Sequence, residues 1–379
     1  MRPSAMRLGP KEGANSPARK EDTGSRCRGG WFIMRLLPQG AGWLRTGFIS
    51  TRSGRACHPS RLYMPQPPSL RLSAQHVSQQ FARRSPLDAA QFFYGEIAQR
   101  MLQRLSAIRI EPQAVLDAGC GAGHALEPLR ARYPAMNYTG LDACGALLSV
   151  ARERYVAKPG FWQKLRNKPT PPVAFVEADM AQPLLAPESL DMVWSNMALH
   201  WHPEPHRVLA EWRRLLKPDA LVMFSCLGPG SLKELRQAIH DAQLDTAIAE
   251  FVDMHDFGDL LIENGFADPV MDQETITLTY RTPEKLLQDL SVLGGNACLD
   301  RRRGLPGRGW RQRLLDALSA QRHIDGTIHL SMEVAYGHAW RTASRRLASG
   351  ETRISIGSIG RGTPSGPWVP PRTGNKPDQ

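Results

Sequence analysis

Nine residues, VLDAGCGAG at 115–123, carry the residue types and spacing most able to do chemistry. They read as a short apolar strand that ends in Asp117, followed by a loop with glycine at every second position, Gly119, Gly121 and Gly123, that opens a helix over 125–132. A loop of this kind lets backbone approach a ligand where any Cβ would collide, and the first N–H groups of the helix face the same spot. Dinucleotide folds space their glycines G-x-G-x-x-G, which would put the third at 124, where His124 stands. The spacing here is D-x-G-x-G-x-G. A second strand over 136–142 closes on Asp142, about twenty residues past the glycines, where ribose-binding acids sit, so its carboxylate is placed to accept both ribose hydroxyls. A third strand over 173–178 runs into Asp179-Met180. Each acid taken singly reads equally well as a helix cap or a solvated loop residue. Three of them in order at strand ends of an alternating α/β pattern point to a nucleotide-type pocket.

The elements that must position these residues follow from periodicity and breakers. Residues 74–108 have apolar positions at helical spacing, broken at Pro86, and predict two helices ahead of the first strand. Residues 190–196 and 221–226 read as strands four and five, separated by a helix over 207–216 that Pro218 terminates. Gly265 stops a helix that starts near Asp253, and Thr282-Pro283 is a cap followed by a first-turn proline. Strand six is expected over 270–280 and strand seven over 327–336, antiparallel beside it. The expected fold is α/β, a doubly wound seven-stranded sheet of Rossmann-like type with helical lid elements, occupying residues 75–341.

The chain has 379 residues and a formal net charge of +12, but residues 1–74 hold +10 of it and residues 341–379 hold +5, which leaves the middle slightly acidic. High overall charge therefore gives no footprint for nucleic acid. Residues 1–74 and 342–379 are rich in Gly, Pro, Ser and Arg without sustained apolar periodicity, and are expected to be basic tails, the first of them either a tail or an over-long start ahead of Met64. The apolar cluster at 31–37 is too short for a membrane span and holds an arginine. Six cysteines show neither a C-x-x-C pair nor a disulfide rhythm, the pattern of a reducing, cytoplasmic compartment.

The glycine motif resembles the first motif of class I S-adenosylmethionine-dependent methyltransferases. WSNMALHW at 194–201, LGPGSLKELR at 227–236, the long run over 254–296 and EVAYGHAW at 333–340 make the chain similar to the malonyl-acyl carrier protein O-methyltransferases of the biotin pathway over roughly residues 75–341. This resemblance implies S-adenosyl-L-methionine as cofactor, held by Asp117, Gly119, Gly121, Gly123 and Asp142. Asp179 would accept from the adenine amino group, and Met180 would pack on the ring. It implies acyl carrier protein carrying malonyl as partner, and neither nucleic acid nor membrane. Pro218-Asp219-Ala220 departs from the pattern, since relatives usually turn into strand five with a glycine. The same motifs also resemble a methyltransferase-fold assembly factor of respiratory complex I that hydroxylates a protein arginine.

The implied reaction methylates the free carboxylate of a malonyl thioester. A carboxylate with a pKa near about 4 is already ionised at neutral pH, so no general base is needed and catalysis reduces to positioning and desolvation. An arginine fork suits that task, and Arg281 or the run Arg301-Arg302-Arg303 are the candidates, the run also being a natural dock for an acidic carrier protein. Trp194, Asn196 and His200 follow strand four, whose carboxyl end faces the crevice where substrates sit, though Trp and Asn there read equally as core and cap. His200, His202 and His206 form H-x-H-x-x-x-H, but no carboxylate or Cys spacing supports zinc, and no metal is expected.

Overall fold

A computed structural model describes residues 69–156 and 171–342. The expected tails, the apolar cluster at 31–37, Cys27, Cys57 and the start at Met64 lie outside the described residues, apart from the tail boundary itself. Residues 69–73 belong to the packed body rather than to a tail: Leu70 and Leu72 are buried, Leu70 N–H donates to Pro203 O, and Leu72 bridges to Cys298.

Two helices open the body, α1 (Ala74–Ala82), capped by the Ser73 hydroxyl, and α2 (Gln91–Leu105). No residue of α1 is buried, whereas α2 buries Phe93, Ile97, Met101 and Leu105 on one face. There follow β1 (Ala114–Ala118), α3 (Leu126–Arg132), β2 (Asn137–Asp142), α4 (Gly145–Tyr155), β3 (Val173–Glu177), β4 (Leu190–Asn196), α5 (Pro205–Leu215) and β5 (Leu216–Leu227). The second half adds α6 (Lys233–Asp241), α7 (Met254–Glu263), β6 (Phe266–Tyr280), α8 (Pro283–Val292), α9 (Arg308–Ala320) and β7 (Ile328–Arg341). The strands form one sheet in the order β3-β2-β1-β4-β5-β7-β6, parallel as far as β5, with β7 inserted antiparallel between β5 and β6. Reversal of strand order on either side of β1 and β4 places a crevice at their carboxyl ends.

Alternation along the strands divides the core between the two faces of the sheet. Val115, Trp194 and Met223 join α2 on one face, while Leu116, Val193, Val222 and Phe224 pack with Trp212 and Phe257 on the other. Thr282 caps α8 by accepting from Lys285 N–H, and the Asp253 side chain caps α7.

Two expectations change at prolines. Pro218 lies inside β5 rather than at the end of a helix, because α5 already stops at Leu215. Pairing jumps from Leu190↔Leu216 to Met192↔Leu221, so Lys217–Ala220 bulge out of the ladder and proline forfeits no bond there. Asp219 in that bulge has φ 61°, the left-handed region for which glycine is better suited. Strand β6 likewise begins at Phe266, ahead of the expected 270, with a register shift between Ala267 and Val270 that absorbs Pro269. Helices α6 and α9 were not among the sequence expectations. No helix among the described residues is long and apolar enough to cross a membrane.

Candidate active site

The carboxyl ends of β1 and β2 and the start of β4's following loop surround a cavity of about 350 Å³, within the size range of small-molecule sites. Asp117, Gly119, Gly121, Asp142, Asp179, Met180 and Asn196 line it, and α1 and α2 supply the opposite wall. Gly123 stands behind the lining, where a Cβ would lie 2.9 Å from the Tyr155 ring.

The glycine loop is held by β2. Gly119 N–H and Cys120 N–H both donate to Leu141 O, and Gly121 N–H donates to Asp142 Oδ2 at 2.8 Å. Gly119 is required twice over: its φ is +77°, and a Cβ there would lie 2.2 Å from Ala198 Cβ. The same construction brings Met180 Sδ to 3.6 Å, so Met180 covers the loop. Cys120, buried in the loop, has a thiol pushed far up by burial, as a packing residue would.

Asp142 uses one lone pair on each oxygen to fix backbone, Oδ2 from Gly121 and Oδ1 from Cys144 N–H at 2.8 Å. Burial pushes its carboxyl up from the usual range, against those two N–H groups, which favour the anion. A carboxylate has about four acceptor sites, so capacity remains for two hydroxyls facing the cavity. Asp142→Ala removes both the loop anchor and those acceptors; hydrogen bonds to a charged group contribute about 1.5–3 kcal/mol each, so calorimetry is expected to find cofactor affinity down at least roughly tenfold. Asp179 is exposed, with Oδ1 accepting from Ala181 N–H at 2.7 Å and from His202 Nε2 at 3.0 Å. His202 Nδ1 accepts from Glu204 N–H, which fixes the proton on Nε2.

Asp117 is 2 % exposed and accepts from the Tyr138 hydroxyl. Burial pushes its carboxyl up to about 7, and the nearby Asp142 charge adds to the effect.

A second cavity of about 720 Å³ adjoins the first, and Tyr94, Met197 and Trp201 line both. Its walls are largely apolar, from Phe93, Leu235, Phe251, Leu287 and Met332, with Arg84 and His200 among them. It reaches the protein surface at Leu305, which is 95 % exposed, close in sequence to Arg301–Arg303. Met197, at the junction, has φ 53°, a strained conformation for a methionine, and its N–H donates to Ser225.

Arg84, in the wall of the second cavity, is a candidate that the sequence does not single out. It is half-buried and donates to Ser291 O, to Gln80 Oε1 at 2.6 Å and to Ser291 Oγ at 3.1 Å, with no carboxylate partner among the described residues. Its only sequence signal is a pair of arginines ahead of Pro86, which a surface reading explains as well.

The candidates on the substrate side separate. Asn196 donates through Nδ2 to Tyr94 O at 2.9 Å and accepts from Ser225 Oγ at 3.0 Å, so it ties α2 to the sheet. His200 lines the second cavity. Trp194 does not reach either cavity: its alternation along β4 turns it into the core beneath α2, fully buried. Arg281 is exposed at the end of β6 and lines neither cavity, because β6 is the edge strand farthest from the crevice on that side. Among the described residues no group of three or more His, Cys, Asp or Glu could hold a metal ion.

Residues 116–224 match a family described as Methyltransferase domain. A malonyl-[acyl-carrier protein] O-methyltransferase of Laribacter hongkongensis (strain HLHK9) is 45 % identical over 68 % of this chain and 86 % of its own. Proteins of the same name from Methylovorus sp. (strain MP688) and Nitrosospira multiformis are 41 % and 39 % identical, over 68 % and 76 % of this chain and 85 % and 95 % of theirs. The chain belongs to the malonyl-[acyl-carrier protein] O-methyltransferase family. It is an S-adenosyl-L-methionine-dependent methyltransferase with the class I α/β fold. The first cavity of this methyltransferase suits the cofactor: a loop with glycine at every second position, a buried acid beside it and an acceptor carboxylate at the end of β2 are the features a cationic nucleoside requires.

Proposed function

We propose that this methyltransferase esterifies the free carboxylate of a malonyl thioester carried on acyl carrier protein, in the cytoplasm, as a step towards biotin. One observation carries the reading: an apolar chamber runs from a surface mouth at Leu305, which follows closely on Arg301–Arg303 in sequence, to a junction it shares with the cofactor cavity, with an arginine in its wall that has no carboxylate partner among the described residues. Such a chamber suits an acyl thioester on a long flexible arm, presented by a protein that stays outside.

Asp142 would hold the ribose, Asp179 and Met180 the adenine, and Asp117 the positive charge of S-adenosyl-L-methionine, which when bound supplies the methyl group. Arg84 would hold the substrate carboxylate, replacing its neutral partners Gln80 and Ser291 with an anion. Burial pushes the Tyr94 hydroxyl, which lines the junction, well up, and the Arg84 charge opposes that shift. No side chain is needed as base, and the apolar walls exclude water from the carboxylate. His200 fits that division, since burial keeps its imidazole neutral, pushed down to about 3.

Incubation of the purified protein with S-adenosyl-L-methionine and malonyl-acyl carrier protein, followed by mass spectrometry of the carrier, tests the reading; a gain of one methyl on malonyl but none on acetyl carrier is expected. Methylation of neither, together with hydroxylation of a protein arginine, would replace this reading with the assembly-factor one. Arg84→Gln is expected to lower kcat/KM for the malonyl thioester at least about tenfold, the worth of a charged hydrogen bond, and to move cofactor affinity far less.

Arg301–Arg303 divide the docking task unequally. Arg302 is already paired with Asp245, and Arg301 donates to Cys298 O at 2.9 Å, whereas Arg303 is exposed with no carboxylate partner among the described residues. Replacing all three with Ala is expected to lower kcat/KM on carrier-bound substrate and flatten its salt dependence, with turnover of malonyl-pantetheine little changed.

A further inference from the structure

His200 is 1 % exposed, and nothing in the reaction as described uses it. Leu227 N–H donates to its Nδ1 at 3.3 Å, which fixes the ring proton on Nε2. That Nε2–H has no partner among the described residues, although buried polar groups are nearly always paired. The ring is wedged at 5.2 Å from the Trp201 ring and 5.7 Å, edge to face, from the Phe251 ring, so it cannot readily turn to find a partner elsewhere. It stands in the wall of the apolar chamber, next in sequence to Trp201 at the junction with the cofactor cavity. A fixed, neutral, unpaired donor in a largely apolar wall marks the place of a ligand acceptor.

We infer that His200 Nε2–H donates to the thioester carbonyl oxygen of the substrate, one methylene away from the carboxylate that Arg84 holds. This rests on the malonyl thioester reading above and deepens it. The enzyme then recognises two oxygen functions at fixed separation: a charged one by a cation, a neutral one by a neutral donor. Using a histidine that stays neutral at the carbonyl leaves the full positive charge of the chamber at Arg84, which directs the carboxylate rather than the carbonyl to the junction. A substrate with its carboxylate but without its carbonyl loses only the His200 contact.

The test pairs malonyl-pantetheine with its 2-carboxyethyl thioether, in which a methylene replaces the carbonyl while the carboxylate stays. Both are assayed for methyl ester with wild type, His200→Leu and His200→Gln. Relative to wild type, His200→Leu is expected to lower kcat/KM for the thioester roughly 3- to 10-fold, the worth of one neutral hydrogen bond, and to leave the thioether unchanged within about twofold. His200→Gln, which retains an N–H donor, is expected to recover part of the thioester activity. Equal losses on both compounds in His200→Leu would make the residue structural and overturn the assignment, as would an unchanged thioester rate. Absence of methyl ester from either compound with wild type would instead remove the malonyl thioester reading, and this inference with it.

Discussion

Gly119→Ala is expected to cost the protein both its cofactor and much of its thermal margin. An L residue at φ +77° is strained by about 1–2 kcal/mol, and the added methyl would overlap Ala198 Cβ, built 2.2 Å away, adding about 1–3 kcal/mol of overpacking. For a body of this size the melting temperature should fall roughly 5–15 °C. Cofactor affinity should fall about a hundredfold, since the bound loop must carry that strain. The motif's spacing treats its three glycines alike, but their surroundings do not. Alanine at 123 meets the Tyr155 ring at 2.9 Å, a side chain that can shift, and alanine at 121 meets nothing nearer than Leu87 Cδ1 at 3.3 Å. The expected order of damage is therefore 119, then 123, then 121, and differential scanning of the three variants with and without cofactor checks it.

Asp117→Asn is expected to stabilise the ligand-free protein at neutral pH and above. In the unfolded chain this carboxyl titrates near 4, and in the folded protein near 7. Between those values the unfolded chain releases a proton that the folded protein keeps, so wild-type stability declines as pH rises from about 4 to about 7 and is level beyond. Three decades at about 1.4 kcal/mol each make the cost on the order of 4 kcal/mol. Urea titrations across pH 4–8 should show the variant gaining on wild type over that window and converging with it below about 4. The opposite holds for the cofactor, because a bound cation favours the anion. Wild-type affinity should climb towards pH 7–8 and that of Asp117→Asn should stay flat and at least about tenfold weaker. A variant less stable than wild type at pH 8 would show that the carboxylate is not desolvated.

Both expectations rest on residues that the sequence singles out, and the reason is local. A strand that stops on an acid and turns through Gly119 and Gly121 has one geometry open to it, and the sheet order follows from right-handed crossovers. Asp142 at the end of β2 and Asp179 after β3 were placed by the same logic. What spacing could not reveal is how a residue far off in the chain folds back on the site. Arg84 reaches the chamber because the turn that follows α1 meets α8 at Ser291, a pairing of residues 207 positions apart. Trp194 and Asn196 are two residues apart on one strand, yet one is core and the other clamps α2, and only the packing of α2 decides which. Pro218 and Pro269 mark strand ends by rule, but each sits in a bulge where the ladder has no bond to lose.

The cover over the cofactor cavity has two unequal halves. Helix α2 drives four large side chains into the core and is tied through Tyr94 O to Asn196, whereas α1 has no fully buried residue, only Val77 and Phe81 partly packed against the core, and is fastened beyond its end by Arg84 on Ser291. Local opening free energy tracks buried apolar contact, so the amide protons of α1 exchange with solvent well ahead of those of α2. The cofactor is therefore expected to come and go by fraying of these nine residues while the hydrophobic core stays shut. Arg84 is the fastening of that loose half, so the residue that would grip the substrate carboxylate would also time the opening of the cover.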